Sequence, residues 1–375
     1  MLLWAARKLG RPVRWRASRA ESFLSDFEAR ELVAEAALAL DGDGRFLGLK
    51  IAYTNNLGSH PISFAVPANL LRMAGEVYDI PAIHVSVCGV VTNTHPVGVY
   101  RGAGRPESTF VLERLIDIAA ATLGVGRDEL RRRNLISQLP YQSPLGHRYD
   151  SGDFADNLAA ALALADWAGY PGRCTTARGS GRLRGIGVAN YLESPTGMHL
   201  ERTDLTIEGD GTVSAVIGTQ ASGQGHETAF AQIVADRLQL PLDEVSIRFG
   251  DSDIAVSGGG SHSDRSMRLG GTILVRASEE VIAKGRAIAA EALEAAESDL
   301  VYQDGQFAVV GTDRSIGLYD CAKRAPLAAT AEIAHRLPAH PTGAAVAEVE
   351  IDPETGAVAL VGYASVDDVG TVINP

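Results

Sequence analysis

Three polar, glycine-containing loops have the residue types needed to hold an anionic or heteroatom-rich ligand. The first loop is 99–107 (VYRGAGRPE), the second is 218–228 (GTQASGQGHET), and the third is 258–268 (GGGSHSDRSMR). Each precedes a segment with helical spacing of apolar residues, so free N–H groups at a helix N-terminus would face the loop. Glycine allows the backbone to approach a ligand closely, and arginine supplies paired donors for phosphate or other anionic oxygens. These loops form the candidate site.

Each loop also has an interpretation that needs no ligand. The first could be an arginine-anchored turn packed on a sheet, and the third a flexible, solvated linker. In the second loop, Gln224 lies between two glycines and could present its amide to a ligand oxygen or cap its own loop. His226 and Thr228 could cap the helix that follows them. The residue pattern alone leaves these alternatives open.

Other chemistries fail at the positions that they require. A zinc motif of the HExxH type starting at His226 needs a second histidine where the sequence has Phe230. No segment matches the phosphate-binding GxxxxGK[ST] motif or the hydrolase GxSxG motif. Cys88, Cys174 and Cys321 lie far apart and form no CxxC pair. They are therefore expected to be reduced structural thiols and not ligands of zinc or of an iron–sulfur cluster.

Composition narrows the class of protein further. The chain has 375 residues, 46% hydrophobic and 21% charged, which is enough for two globular domains. Its net charge of -12 argues against a nucleic-acid binder. No apolar run approaches the roughly 20 residues that span a bilayer, so no membrane span is expected. The first thirty residues are basic, but their apolar stretch precedes the charges, the reverse of a secretory signal. We expect an amphipathic helix leading into a strand, in a cytoplasmic protein.

The periodicity of the remaining chain predicts a mixed α/β (α+β) fold with hairpins, not a doubly wound parallel sheet. Predicted strands and hairpins comprise a hairpin over 31–55, strands over 85–91 and 186–192, and further hairpin turns at 209–211, 304–305 and 352–356. Predicted helices cover 106–123, 128–135, 154–167, 226–238 and 271–296. Residues 173–184 are rich in Gly, Ser, Thr and Arg and are interpreted as a linker between domains 1–172 and 185–375.

In this order, the loops resemble those of the large subunits of molybdenum hydroxylases, the xanthine dehydrogenase and aerobic carbon monoxide dehydrogenase family. YRGAGRPE, followed by ERLID and LRRRNLI, is similar to the first molybdopterin-binding domain of that family. SGQGHETAFAQIVAD and GGGSHSDRSM are similar to the second, and the C-terminal EVEIDPETG…DDVGTVINP also looks familial. The resemblance covers essentially the whole chain. It implies two molybdopterin-binding domains of mixed sheets and packed helices, both incomplete: 1–172 is the C-terminal part of the first, and 185–375 is a second one truncated at its C-terminus.

The resemblance also implies a cofactor and a set of contacts. The cofactor is molybdenum–molybdopterin, in its cytosine dinucleotide form, which hydroxylates an aldehyde or N-heterocycle with oxygen from water. Electrons then pass to a small 2Fe–2S subunit and a medium FAD subunit, in a dimer of heterotrimers. The implied cofactor-binding residues are Arg101, Gly102, Gly223, Gln224, Gly225, His226, Ser261, Ser263, Arg265 and Ser266.

Departures from the family pattern limit what the resemblance implies. The family's catalytic glutamate lies in a G-E-x-G context that this sequence lacks, so it is expected beyond the C-terminus and no catalytic residue is assigned here. The family's GGGFG-like motif is absent too. Residues 102–104 (GAG) stand where carbon monoxide dehydrogenases carry a cysteine, which argues against carbon monoxide oxidation. Two hypotheses follow: a partial subunit of an oxidoreductase, or a catalytically inactive remnant or scaffold that folds and binds partners.

Overall fold

The computed structural model describes residues 1–375 and divides them into two compact units. Unit 1 comprises Met1–Glu193 and Pro341–Asp368, and unit 2 comprises Ser194–His340 and Val369–Pro375. These limits differ from the expected domains 1–172 and 185–375. Residues 173–184, expected as a linker, form the end of a helix and the start of a strand. That strand pairs with one more than 150 residues later, a pairing that local composition does not reveal.

Helices and strands alternate along the chain in a mixed α+β arrangement, as predicted. The helices are α1 (Leu2–Leu9), α2 (Arg19–Ser25), α3 (Ala65–Met73), α4 (Arg105–Leu123), α5 (Arg127–Asn134), α6 (Phe154–Leu164), α7 (Tyr170–Gly179), α8 (His226–Leu238), α9 (Thr272–Ala292) and α10 (Leu318–Arg324). The strands are β1 (Leu32–Leu40), β2 (Phe46–Gly58), β3 (Ile83–Val91), β4 (Tyr141–Gln142), β5 (Arg148–Tyr149), β6 (Leu183–Leu192), β7 (Glu201–Ile207), β8 (Val213–Ile217), β9 (Val245–Arg248), β10 (Leu300–Gln303), β11 (Gln306–Val309), β12 (Ser315–Gly317), β13 (Leu327–Ile333), β14 (Thr342–Ile351) and β15 (Val358–Asp368).

Unit 1 contains two three-stranded sheets and a short two-stranded one. The order β1-β2-β3 contains the predicted hairpin, with β1 antiparallel to β2 and β2 parallel to β3. The order β15-β14-β6 is antiparallel throughout. The core of unit 1 includes Ile51 from β2 and Leu112 and Ile116 from α4, all fully buried. Burial of these side chains fixes α4, and with it the first loop, against the sheet.

Strand β15 is an exposed edge. Its only ladder partner is β14, and the segment 357–366 carries no charged residue. Val358, Leu360 and Tyr363 are 64%, 63% and 66% exposed, and the first four residues of the strand are all exposed. Large apolar side chains and a free hydrogen-bonding edge thus coincide here.

Unit 2 is built on the four-stranded sheet β13-β7-β8-β9, in which only β8 and β9 are parallel. Helices α8 and α9 pack on this sheet through a core that includes Phe230, Val234, Ile273 and Leu274. A π-helix, Ser266–Gly271, leads into α9. Such π-helical turns are uncommon and concentrate at functional sites, and this one lies at the end of the third loop.

Most predicted elements are confirmed, some with altered ends. Helix α8 begins and ends at the predicted residues, and the three predicted hairpin turns join β7–β8, β10–β11 and β14–β15. The N-terminus differs from prediction, because α1 and α2 both precede β1 and neither buries any residue. No helix is long and apolar enough to cross a bilayer.

Candidate functional site

The backbone of the first loop has three successive residues with positive φ. Gly102, Ala103 and Gly104 have φ values of 85°, 47° and 98°. A Cβ on Gly104 would lie 2.6 Å from the carbonyl oxygen of Val66, so packing within unit 1 requires glycine there. Gly104 is the N-cap of α4, where Pro106 fits the first turn.

Buried charges anchor this loop. Arg105 is 7% exposed, and its Nε lies 2.6 Å from the Glu193 carboxylate. The Glu107 carboxylate accepts hydrogen bonds from the Gly104 N–H at 3.1 Å and from Arg30 at 3.0 Å. The interpretation as an arginine-anchored turn therefore describes its inner side.

The two predicted contacts of the first loop have different surroundings. Arg101 is exposed, with its guanidinium 5.8 Å from the centroid of the Tyr100 ring. The Gly102 carbonyl oxygen, in contrast, accepts a 3.0 Å hydrogen bond from Arg105. Arg101 thus presents a charge to solvent, whereas the polar group of Gly102 already has an internal partner. Both lie in unit 1, and the other predicted site residues lie in unit 2.

The second loop has glycines in open surroundings. Gly223 and Gly225 have φ values of 107° and 74°, and a Cβ built on either would meet no atom within 4 Å. Gly225 is the N-cap of α8, where no side chain caps the helix. The backbone conformation favours glycine at both positions, but packing within the chain does not require it. Space for a ligand remains beside the free N–H groups of the helix N-terminus.

Gln224 links the second loop to the third. Its side chain is exposed, and Nε2 donates a 3.1 Å hydrogen bond to the Oγ of Ser261. Its Oε1 accepts a hydrogen bond from the backbone N–H of Ser222. The alternative interpretation, in which Gln224 caps its own loop, therefore holds for the Oε1 end of the side chain. The other end brings two predicted site residues, Gln224 and Ser261, together.

Hydroxyl groups continue this link into the protein. The hydroxyl of Ser266 lies 3.1 Å from that of Ser261 and 2.8 Å from that of Thr219. Thr219, which is fully buried, donates at 3.1 Å to the carbonyl of Gly260. The predicted residues Ser261 and Ser266 therefore belong to one hydrogen-bonded network.

Ser263 does not join that network. It has φ 52°, and its hydroxyl lies 3.0 Å from Nδ1 of His262. His262 in turn contacts the Gly259 carbonyl at 3.0 Å through Nε2. Ser263 therefore stabilises its own turn, within the same loop as Ser261.

The side chain of Arg265 does not reach the surface, in contrast to the cofactor contact implied by the resemblance. It is fully buried, and its guanidinium forms an ion pair of 2.6 Å with Glu201, which is buried as well. It also donates to three backbone carbonyls, of Met198 at 2.9 Å, Leu200 at 2.6 Å and Gly260 at 2.5 Å. A buried guanidinium needs such partners, so Arg265 holds the loop from inside. The third loop is thus pinned in place, which is not the solvated linker of the alternative interpretation.

His226 is a buried polar group at the first position of α8. It is 7% exposed, and its ring stacks on Phe230 with centroids 4.9 Å apart. Burial lowers the pKa of His226 and so favours the neutral imidazole. Its Nδ1 has no hydrogen-bond partner. Since Gly225 occupies the N-cap position, His226 does not cap the helix.

These features fit a heteroatom-rich, anionic cofactor. Two open glycines leave room that side chains would fill, and Gln224 offers both a donor and an acceptor beside them. The N-terminus of α8 adds free N–H groups, and His226 adds a buried nitrogen without a partner. This side of unit 2 can bind and orient such a group.

Sequence reasoning missed two residues of the network, Glu201 and Thr219. Glu201 has a detectable signal, because it shares the inward register of β7 with Thr203, Leu205 and Ile207. A carboxylate in a core register requires a cationic partner. Identifying that partner as Arg265, 64 residues later, requires the fold.

Comparison with known proteins agrees with this geometry. Two family models described as "Molybdopterin cofactor-binding domain" match residues 1–135 and 160–375. The subunit gamma of the 6-hydroxypseudooxynicotine dehydrogenase complex of Paenarthrobacter nicotinovorans is 36% identical over 99% of the chain and 50% of its own length. The carbon monoxide dehydrogenase large chain of Hydrogenophaga pseudoflava is 33% identical over 98% of the chain and 50% of its own length.

A solved structure gives the same result. The crystal structure of quinoline 2-oxidoreductase from Pseudomonas putida 86 superimposes with a TM-score of 0.91 at 31% identity, over 99% of this chain and 51% of that one. The chain belongs to the molybdopterin cofactor-binding family that forms the large subunits of molybdenum hydroxylases. It spans about half the length of the curated relatives that it matches.

Proposed function

We propose that this chain binds molybdenum–molybdopterin, in its cytosine dinucleotide form, as part of an oxidoreductase that hydroxylates an aldehyde or an N-heterocycle. The observation that carries the proposal is the meeting of the second and third loops at Gln224 and Ser261, beside the open glycines Gly223 and Gly225. When bound, the cofactor supplies the two-electron oxidation that no side chain provides.

The chain's own residues bind and orient. The amide of Gln224 donates to and accepts from heteroatoms at the loop, and the N–H groups at the start of α8 favour negative charge. The neutral ring of His226 offers a buried nitrogen, and Arg101 presents an exposed guanidinium. Arg265 contributes by fixing the third loop from within. We assign no general base to this chain.

The substrate class rests on the relatives and on the first loop. One relative is named for 6-hydroxypseudooxynicotine and another for quinoline, itself an N-heterocycle. Carbon monoxide is disfavoured, because residues 102–104 (GAG) hold no cysteine. The three free cysteines support a cytoplasmic location. The proposed partners are an iron–sulfur subunit and an FAD subunit in a dimer of heterotrimers, in line with relatives named as subunits or chains.

Cofactor uptake tests the proposal directly. The chain is produced in a host that makes the molybdenum cofactor, and bound molybdenum and the cytidine monophosphate released by acid hydrolysis are quantified. We expect both in the purified chain. Gln224→Ala should lower both, since it removes the side chain that joins the two loops. Gln220→Ala is the matched control, because Gln220 is an exposed glutamine of the same loop whose amide lies near Gly250.

The outcomes separate the two candidate functions. Equal molybdenum in both variants and the parent would make Gln224 structural. A folded chain with neither molybdenum nor cytidine monophosphate would favour the scaffold that binds partners. Dye-linked turnover of aldehydes and N-heterocycles then tests the substrate class.

A further inference from the structure

A buried ion pair lies behind the candidate site. Glu201 and Arg265 are both fully buried and in contact at 2.6 Å. The same guanidinium donates to the carbonyls of Met198 and Leu200, which precede β7, and to that of Gly260 in the third loop. Arg265 thereby ties the third loop to the start of a core strand.

The carboxylate of Glu201 lies where the two loops meet. A Cβ on Gly218 would be 2.6 Å from Oε1 of Glu201, and a Cβ on Gly258 would be 2.9 Å from it. Gly218 and Gly258 are also in close backbone contact, since the Cβ of one would lie within 2.5 Å of the Cα of the other. Neither loop can therefore shift toward Glu201 without a clash.

The Gly260 carbonyl transmits this arrangement toward the surface. It accepts hydrogen bonds from both Arg265 and Thr219. From Thr219 the contacts run through Ser266 and Ser261 to the exposed amide of Gln224. This series of contacts begins at the buried, charged Glu201–Arg265 pair and ends at the exposed amide of Gln224. Each contact depends on the position of the group before it.

We propose that Glu201 is a positioning residue: it holds the second loop, which carries Gln224, in place by acting through Arg265 and the Gly260 carbonyl. Its charge holds the guanidinium in the one orientation that reaches all three carbonyls, and this fixes the spacing between the second and third loops. The inference rests on the proposed function only for the identity of the ligand that the two loops bind. The positioning of the loops is a property of the chain itself. If the Glu201–Arg265 pair served general stability alone, its loss would affect the two loops and the core strand β7 equally.

Hydrogen–deuterium exchange of the cofactor-free chain tests this positioning. Glu201→Gln keeps the size and an acceptor but removes the charge. We expect amides of 222–226 and 258–263 to exchange about tenfold faster, while 203–207 in β7 keep their rates. Asp204→Asn is the control, because it weakens the side-chain pair of Arg202 and Asp204 on the same strand, and the only other side-chain partner of Asp204 is Thr330 of β13. It should leave both loops at their parent rates.

A second variant keeps the test decisive if Glu201→Gln does not fold. Thr219→Val retains shape and burial but removes the hydroxyl that joins Gly260 to Ser266. Faster exchange at 222–226 and 258–263 alone would support the proposal. Unchanged loop rates, or an equal rise in the loops and in β7, would overturn it. Because no cofactor is present, this result is independent of molybdenum uptake, so either proposal can fail without the other.

Discussion

A Cβ on Gly104 in the first loop would lie 2.6 Å from a backbone oxygen of Val66, whereas a Cβ on Gly225 in the second loop would meet no atom within 4 Å. Both glycines have positive φ and both are helix N-caps. In sequence the two motifs, RGAG and SGQG, look equivalent. The structure separates a glycine required by internal packing from one whose surroundings are open, and only the second leaves room for a ligand.

The largest expected effect is that of Gly104→Ala. The methyl group would meet the Val66 carbonyl, and alanine would be strained at φ 98°. Together these should lower the free energy of unfolding of unit 1 by about 4 kcal/mol. Urea unfolding followed by tryptophan fluorescence measures this, because Trp4, Trp15 and Trp167 are the chain's three tryptophans and all lie in unit 1. A loss below about 1 kcal/mol would remove the contrast between the loops.

A second prediction concerns the carboxylate that ties α4 to β6. Glu76 is fully enclosed, accepts hydrogen bonds from Thr109 at 2.6 Å and from the Leu192 N–H at 3.0 Å, and burial raises its pKa to about 8. The folded state therefore retains a proton that the unfolded chain loses near pH 4.5. Stability should be fully present below that pH and fall as pH rises toward 8, by roughly 2 kcal/mol or more.

The variant Glu76→Gln provides the check, because glutamine imitates the protonated acid. Tryptophan-monitored urea midpoints are compared at pH 5 and pH 8 for the parent and the variant. The parent should lose stability over this range, and the variant should lose clearly less. The same pH dependence in both proteins would show that other groups control it.

The smallest effect on folding is expected for Gly225→Ala. Its Cβ would meet nothing, so only the left-handed conformation at φ 74° opposes it, at about 1 kcal/mol. Molybdenum content should nevertheless fall, because the methyl group would occupy the open space at the start of α8. Differential scanning calorimetry and metal analysis of one preparation provide both values. Full molybdenum content with a lowered Tm would mean that the open space is not used.

Local patterns carried much of the fold. The sequence predicted a hairpin over 31–55, which is β1–β2, and it predicted both ends of α8, whose apolar residues follow helical spacing after Gly225. The resemblance of the loops identified the family, which no single motif does. Boundaries between units were not predictable, because β6 pairs with β14 through contacts distant in sequence.

The sequence identified the loops of the candidate site, but it did not identify the role of each side chain in them. Gln224, Ser261 and Ser266 do meet, whereas Arg265 turns inward. An arginine in a polar, glycine-rich segment suggests exposure, and only the inward register of Glu201 indicates a buried partner. Burial of charge depends on pairing across the fold, which residue types in one loop do not encode.

Strand β15 affects how the chain can be handled on its own. Its uncharged, exposed residues 357–366 and unpaired outer edge are a template for another extended chain. At high protein concentration, the β15 edges of two molecules should pair through backbone hydrogen bonds. Exchange and unfolding are therefore best measured at low protein concentration. Leu360→Lys, at a position that is 63% exposed, would place a charge on this edge strand. It should keep the chain monomeric without altering the loops of unit 2.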